Sequence, residues 1–318
     1  MCVRPVAVSV VVAVLVSLLG GCSLFKDDSQ TQLDKIITAI GTENILAVDI
    51  HATQKTARNE RGAVGVTWVQ DGQLLLTWVD ERKIVTEKSG YSSFAASPTS
   101  ISKFSLDRIL DMTKKLINDD TCTSLSATSM ATPAGSVGTW AECTGRGGGQ
   151  QHVVDEQSML DGGLFYVPRV DPQVAADLDA LRQAYVTVMG TSKVHRFSYY
   201  FNQALLSLDG PVATNALGES CVPSMTALLS SSSTPFPVSC DTKATVGSNP
   251  FDVNEFSSTS VAEVVASVEN SQILDYQSLV SITFFHQGED LCWEVTTTSI
   301  GDLSAHRDQL KGCITKGA

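Results

Sequence analysis

The sequence predicts an α+β fold: antiparallel meanders and hairpins packed with about four to five helices and held by three local disulfides. Three observations carry this. Apolar residues recur at helical spacing in a few separated segments. Between them lie short runs rich in β-branched and aromatic residues, several joined by Asp-Gly or similar turns. The last cysteines of the chain fall into neighbouring pairs. The 318 residues suffice for one large core or two modest ones.

The elements follow in order. Residues 31–40 place Leu33, Ile36, Ile37 and Ile40 on one face, with Thr31 and Asp34 as a capping box and Gly41 as the stop. Residues 45–51, 63–69, 73–79 and 84–88 read as a meander that turns at Asp71-Gly72. Ser105 caps a helix over 106–117, and a strand carrying Cys143 pairs back near Cys122. The run Gly145-Arg146-Gly147-Gly148-Gly149 reads as a linker. It divides a helix-plus-sheet unit, 31–146, from a second α+β region, 147–318, that is expected to be continuous with it or separate.

Short strands are expected at 152–154 and 164–167. A helix capped by Asp171, with Pro172 in its first turn, ends at Gly190. Strands follow at 194–201 and 204–208, then a helix over 261–268 capped by Ser260 and Glu263. A hairpin of 279–285 with 291–297 and a last helix over 303–311 complete the chain. Val66-Thr67-Trp68 with Trp78 resembles Ile282-Thr283-Phe284 with Trp293. That likeness reads as a divergent repeat or as two convergent aromatic hairpins.

Arg4 precedes an apolar run over 6–19 that is short for a membrane span, and the run ends Leu19-Gly20-Gly21-Cys22. An aliphatic residue, two small residues and Cys resemble the lipobox of bacterial lipoproteins. By that resemblance residues 1–21 are a signal peptide. Cys22 then becomes the lipid-attachment residue, bearing diacylglycerol and a palmitate-type chain. This places the protein in the cell envelope, on the extracytoplasmic face of the cell membrane. An uncleaved N-terminal helix and an ordinary signal peptide with a coincidental Cys are the competing readings. Residues 22–30 form a tether that reaches under about 30 Å when extended.

With 22 basic and 34 acidic residues the chain carries a net charge of −12 and no basic cluster. Nucleic-acid binding is disfavoured, and so is electrostatic docking on anionic lipid. Beyond Cys2 and Cys22, six cysteines remain, and an even set outside the cytoplasm reads as disulfides. Neighbour pairing gives Cys122–Cys143, Cys221–Cys240 and Cys292–Cys313, each loop worth about 3 kcal/mol. No CxxC is present and no His stands near a Cys, so neither zinc nor redox chemistry is expected, and no cofactor.

The chain contains no HExxH, GxSxG or Walker pattern, and its five His are scattered. The expectation is therefore a non-catalytic lipoprotein that binds an apolar or amphiphilic ligand or lipid. A structural lipoprotein docking an envelope protein is the alternative, and an extracytoplasmic hydrolase a lesser one. Tyr199-Tyr200-Phe201 and Phe284-Phe285 put aromatics on both faces of a strand, because side chains alternate. They are core, or they face a ligand. A helix and then a meander behind the lipobox Cys resemble, in element order, the LolA-like and mycobacterial LppX/LprG-like envelope lipoproteins. That resemblance implies a curved sheet and helices around an apolar cavity; it transfers no residue.

Overall fold

The computed structural model describes residues 28–53, 62–80, 83–89, 95–115, 122–145, 152–153, 158–165, 170–229, 236, 238–244, 249–270, 279–297 and 310–315. Cys22 and its tether to residue 27 lie outside these residues, as do the expected linker glycines 147–149 and helix positions 303–309.

The first half opens with α1 (Ser29–Ile40). Its cap is Asp28, whose carboxylate accepts the Thr31 N–H at 2.7 Å, so the helix starts before the expected capping box. Gly41 ends it at φ 69°, a left-handed conformation that costs glycine nothing. Strands β1 (Asn44–Ile45), β2 (Ala47–Ala52), β3 (Ala63–Gln70), β4 (Gln73–Asp80), β5 (Lys83–Lys88) and β6 (Thr99–Ser100) follow. Then come a 3₁₀ turn at Ile101–Lys103, α2 (Leu106–Lys115), and β7 (Cys122–Ala131) paired with β8 (Val137–Gly145). The sheet runs β8-β7-β2-β3-β4-β5, antiparallel throughout. Three short strands, β9 (His152–Val153), β10 (Met159–Leu160) and β11 (Gly163–Leu164), extend it beyond β8. They lie after the expected boundary at 146 yet belong to the first sheet, and Gly145 itself is a strand residue.

The second half repeats this order. It has α3 (Ala175–Met189), β12 (Lys193–Val194), β13 (Arg196–Tyr200), β14 (Leu205–Asp209), β15 (Ala213–Thr214), β16 (Ser220–Leu228), β17 (Ser239–Asp241) and β18 (Phe251–Asp252). It ends with α4 (Ser258–Glu269), β19 (Leu279–Gln287), β20 (Asp290–Thr297) and β21 (Lys311–Ile314). Its sheet runs β21-β20-β19-β13-β14-β16, with β17 on β16. The small β12–β18 pair stands where β1–β6 stands in the first half.

The match extends to single hydrogen bonds. Thr42 Oγ1 accepts the Asn44 N–H, and Thr191 Oγ1 the Lys193 N–H, both at 3.1 Å. The Leu46 N–H donates to the Thr67 carbonyl, and the His195 N–H to the Asp209 carbonyl, both at 2.8 Å. Gly41 and Gly190 end equivalent helices, each at φ 69°. The chain is an internal duplication, in a different register from the aromatic-hairpin likeness. The β19–β20 hairpin corresponds to β7–β8, and the β3–β4 hairpin to β14–β16. Val66 and Ile282 are therefore not equivalent positions.

Three further expectations shift. Asp171 accepts the Gln173 N–H at 2.9 Å in a turn ahead of α3, so Pro172 precedes the helix rather than opening it. The cap of α4 is Ser257, not Ser260. Lys311 opens strand β21 instead of closing a helix, because 311–314 pair with β20 and set Cys313 opposite Cys292. All three disulfides join the neighbouring cysteines, Cys122–Cys143, Cys221–Cys240 and Cys292–Cys313.

The halves meet where the Ala134 N–H donates to the Val188 carbonyl at 3.1 Å, and through an aromatic contact. Phe236, between β16 and β17, is buried over Gly138 of β8. Its ring lies 6.0 Å from that of Trp140 and 5.8 Å from that of Phe165.

Candidate functional site

Duplication supplies an internal control for every cleft in the molecule. In the second half α3 and α4 pack directly on each other over the sheet. Two polar contacts clasp them at one end. The Ser258 hydroxyl donates to the Asp179 carboxylate, and Arg182 Nη1 donates to the Phe256 carbonyl at 2.7 Å. Burial pushes the Arg182 pKa down, and neighbouring Asp179 opposes that shift.

The helix stops and N-caps give the equivalent residues of the first half. Counting back from Gly41 and Gly190, Gln30 stands for Asp179 and Leu33 for Arg182. Counting around Ser105 and Ser257, Phe104 stands for Phe256 and Leu106 for Ser258. None of the four can remake the clasp, because Leu33 offers no donor to the Phe104 carbonyl and Leu106 has no hydroxyl for Gln30. The helices α1 and α2 accordingly do not pack on each other to a comparable extent. A groove of about 610 Å³ lies between them, and Gln30, Leu33, Phe104 and Leu106 all line it.

Ile37 and Ile101 add to its apolar floor, while Asp34, Thr38, Ser102, Ser105 and Asp107 give it polar margins. Its volume falls within the range of small-molecule sites, about 300–1,000 Å³. A second groove of about 610 Å³ flanks the other side of α2, between Arg108, Met112 and the β10–β11 turn.

The aromatics singled out in the sequence lie elsewhere. Phe284 is fully buried beneath α3 and α4 and borders an apolar cavity with Leu178, Phe197 and Phe251. That cavity measures about 20 Å³, the space of about one water, and holds no chain or ring. Tyr199 is buried, donates to Glu269 Oε1 at 2.8 Å, and packs on buried Phe201 at 4.3 Å. Tyr200 and Phe285 are half-buried on the opposite face of the sheet. No signal in the sequence marked the α1–α2 groove. Leu33 and Leu106 read simply as core positions, and only their alignment with Arg182 and Ser258 shows what they omit.

Asp49 is a carboxylate buried on β2. Desolvation drives its pKa up; a hydrogen bond from Thr128 and the charge of His51 oppose this, and Glu142 adds to it. Thr128 Oγ1 donates to Asp49 Oδ1 at 2.7 Å, and Ser198 with Thr283 holds the equivalent place in the second half. A carboxylate therefore stands where the twin sheet has a hydroxyl. The raised pKa means that Asp49's favourable contribution is full below the ordinary carboxylate range and is lost as pH rises through its folded value. Asp49→Asn keeps an acceptor for Thr128 and is expected to raise the melting temperature at pH 7, with the gap closing on acidification. Parallel melts of both proteins from pH 4 to 8 measure it; a gap that widens toward acid contradicts the assignment.

Among the described residues, no group of three or more His, Cys, Asp or Glu is placed to hold a metal, and no helix is long and apolar enough to cross a membrane. No protein-family model and no curated protein matches the chain. A solved structure, the PCNA2–PCNA3 complex from Sulfolobus tokodaii, aligns at 7% identity over 83% of this chain and 89% of that chain, with a TM-score of 0.15. A likeness at that level carries no argument about fold or function.

Proposed function

We propose that this chain is a membrane-tethered, non-catalytic envelope lipoprotein that binds an apolar or amphiphilic ligand in the groove between α1 and α2. One observation supports the site above all. The four positions that clasp the helices of the second half line an open groove in the first. A groove with an apolar floor and polar margins suits a molecule with the same division. The tether supports the setting. The helix α1 starts at Ser29, seven residues after the lipobox Cys22, which keeps the groove within roughly 30 Å of the bilayer that would hold the acyl chains.

Leu33→Arg tests the site by restoring the clasp. The new guanidinium is expected to reach the Phe104 carbonyl, as Arg182 reaches that of Phe256, and to fill the groove. Binding of a pyrene-labelled dodecyl probe should fall at least about tenfold, a loss of about 1.4 kcal/mol. Circular dichroism should show the fold intact. Undiminished probe binding by a folded Leu33→Arg protein rules the groove out as the site.

A further inference from the structure

The charge along the groove narrows the ligand class, on the reading that the groove is the binding site. Its lining contains two carboxylates, Asp34 and Asp107, and no cation. Three nearby basic groups, Lys103, Arg108 and Lys114, make contacts outside this lining. Lys103 Nζ donates to the Gly135 carbonyl at 2.9 Å. Arg108 lies against Gly162 in the other groove, and Lys114 pairs with Asp111 at 3.7 Å.

Both carboxylates are exposed at the margin, above the apolar floor. Asp34 takes one hydrogen bond, from Gln30 at 2.8 Å, through Oδ1. A chain lying on the half-buried Ile37 and Ile101 therefore brings its polar end up beside two negative groups. The whole protein, at −12, sets a field of the same sign. An anionic headgroup is repelled there and a cationic one is drawn in.

We infer that the α1–α2 groove takes the acyl chain of an amine-headed membrane lipid, with the ammonium between Asp34 and Asp107. The bilayer is the source because the tether holds the groove close to it. Charge pairs at an exposed margin are weak one by one. Here the same two carboxylates attract one headgroup and repel the other, so the discrimination is expected to reach about tenfold.

The test uses the lipidated full chain and phosphatidylcholine vesicles carrying pyrene-labelled dodecylamine, dodecanoate or dodecanol. Loss of pyrene excimer emission reports transfer from vesicle to protein. The expected order is amine, then alcohol, then acid, with amine over acid by about tenfold. The Asp34→Asn, Asp107→Asn double variant should bring amine and acid together, and added salt should do the same. Equal or better uptake of the acid by the native protein overturns the charge assignment while leaving the groove as the site. Uptake of free amine from buffer with no transfer from vesicles overturns the lipid source. Failure of all three probes removes the groove itself.

Discussion

Phe236→Ala is expected to destabilise the protein by about 3–5 kcal/mol, the usual range for a fully buried Phe. The ring is 1% exposed and fills the space above Gly138, so its loss leaves a cavity against Trp140 and Phe165. Gly138 is the complementary half of the joint. A Cβ there would stand 2.2–2.6 Å from three ring carbons of Phe236, nearer than any real contact. Gly138→Ala is therefore expected to cost about 1–3 kcal/mol by overpacking. Urea unfolding followed through tryptophan emission measures both. The halves also meet where the Ala134 N–H donates to the Val188 carbonyl at 3.1 Å and the Ala95 N–H to the Val238 carbonyl at 3.4 Å, so the loss should appear as a lower midpoint of the shared transition. An unchanged midpoint for Phe236→Ala contradicts the assignment.

Removing the Cys221–Cys240 bridge, as Cys221→Ser with Cys240→Ser, should cost about 3 kcal/mol. The bridge closes a segment of 19 residues, and Cys240 sits on the three-residue strand β17. The same segment carries Phe236, four positions before Cys240. The bridge therefore also limits how far Phe236 can stray from Gly138 in partly unfolded states. The two perturbations should couple, so that the triple variant loses less than the separate costs added together. Additive losses, read from urea midpoints at constant slope, would mean that bridge and ring act independently.

The disulfide pairing was legible because neighbouring cysteines close short loops whatever the fold. The helices at 29–40, 106–115 and 175–189 were legible from apolar spacing and from stops such as Gly41 and Gly190. The turn at Asp71-Gly72 was too, since both residues take positive φ, 51° and 70°. The duplication was visible in two short places: Gly41-Thr42 with Gly190-Thr191, and Phe104-Ser105 with Phe256-Ser257. These are a helix stop and a helix cap, where backbone geometry restricts the residue. The hairpins invited the wrong register because any aromatic strand pair satisfies the same packing rule, so Trp68 and Phe284 look alike without being equivalent. The groove was illegible for another reason. It arises from a missing contact between two helices far apart in the chain, and a sequence records the side chains present, not the bond they fail to make.

The pins that hold α1 to the sheet give the molecule a mechanical property. Ser29 Oγ and Gln32 Nε2 both donate to the Gly62 carbonyl, at 3.1 and 3.0 Å, and the Val64 N–H donates to Gln32 Oε1 at 3.3 Å. A pull on the chain ahead of Asp28 therefore passes from the first turn of α1 into the start of β3, a strand inside the sheet. Ile37 and Thr38, on the later turns that wall the groove, lie beyond that junction. Tension applied ahead of Asp28 would load the first turns, where Gln30 and Leu33 line the groove, before it reached Ile37 and Thr38, so a pull there would bear on one end of the cleft first.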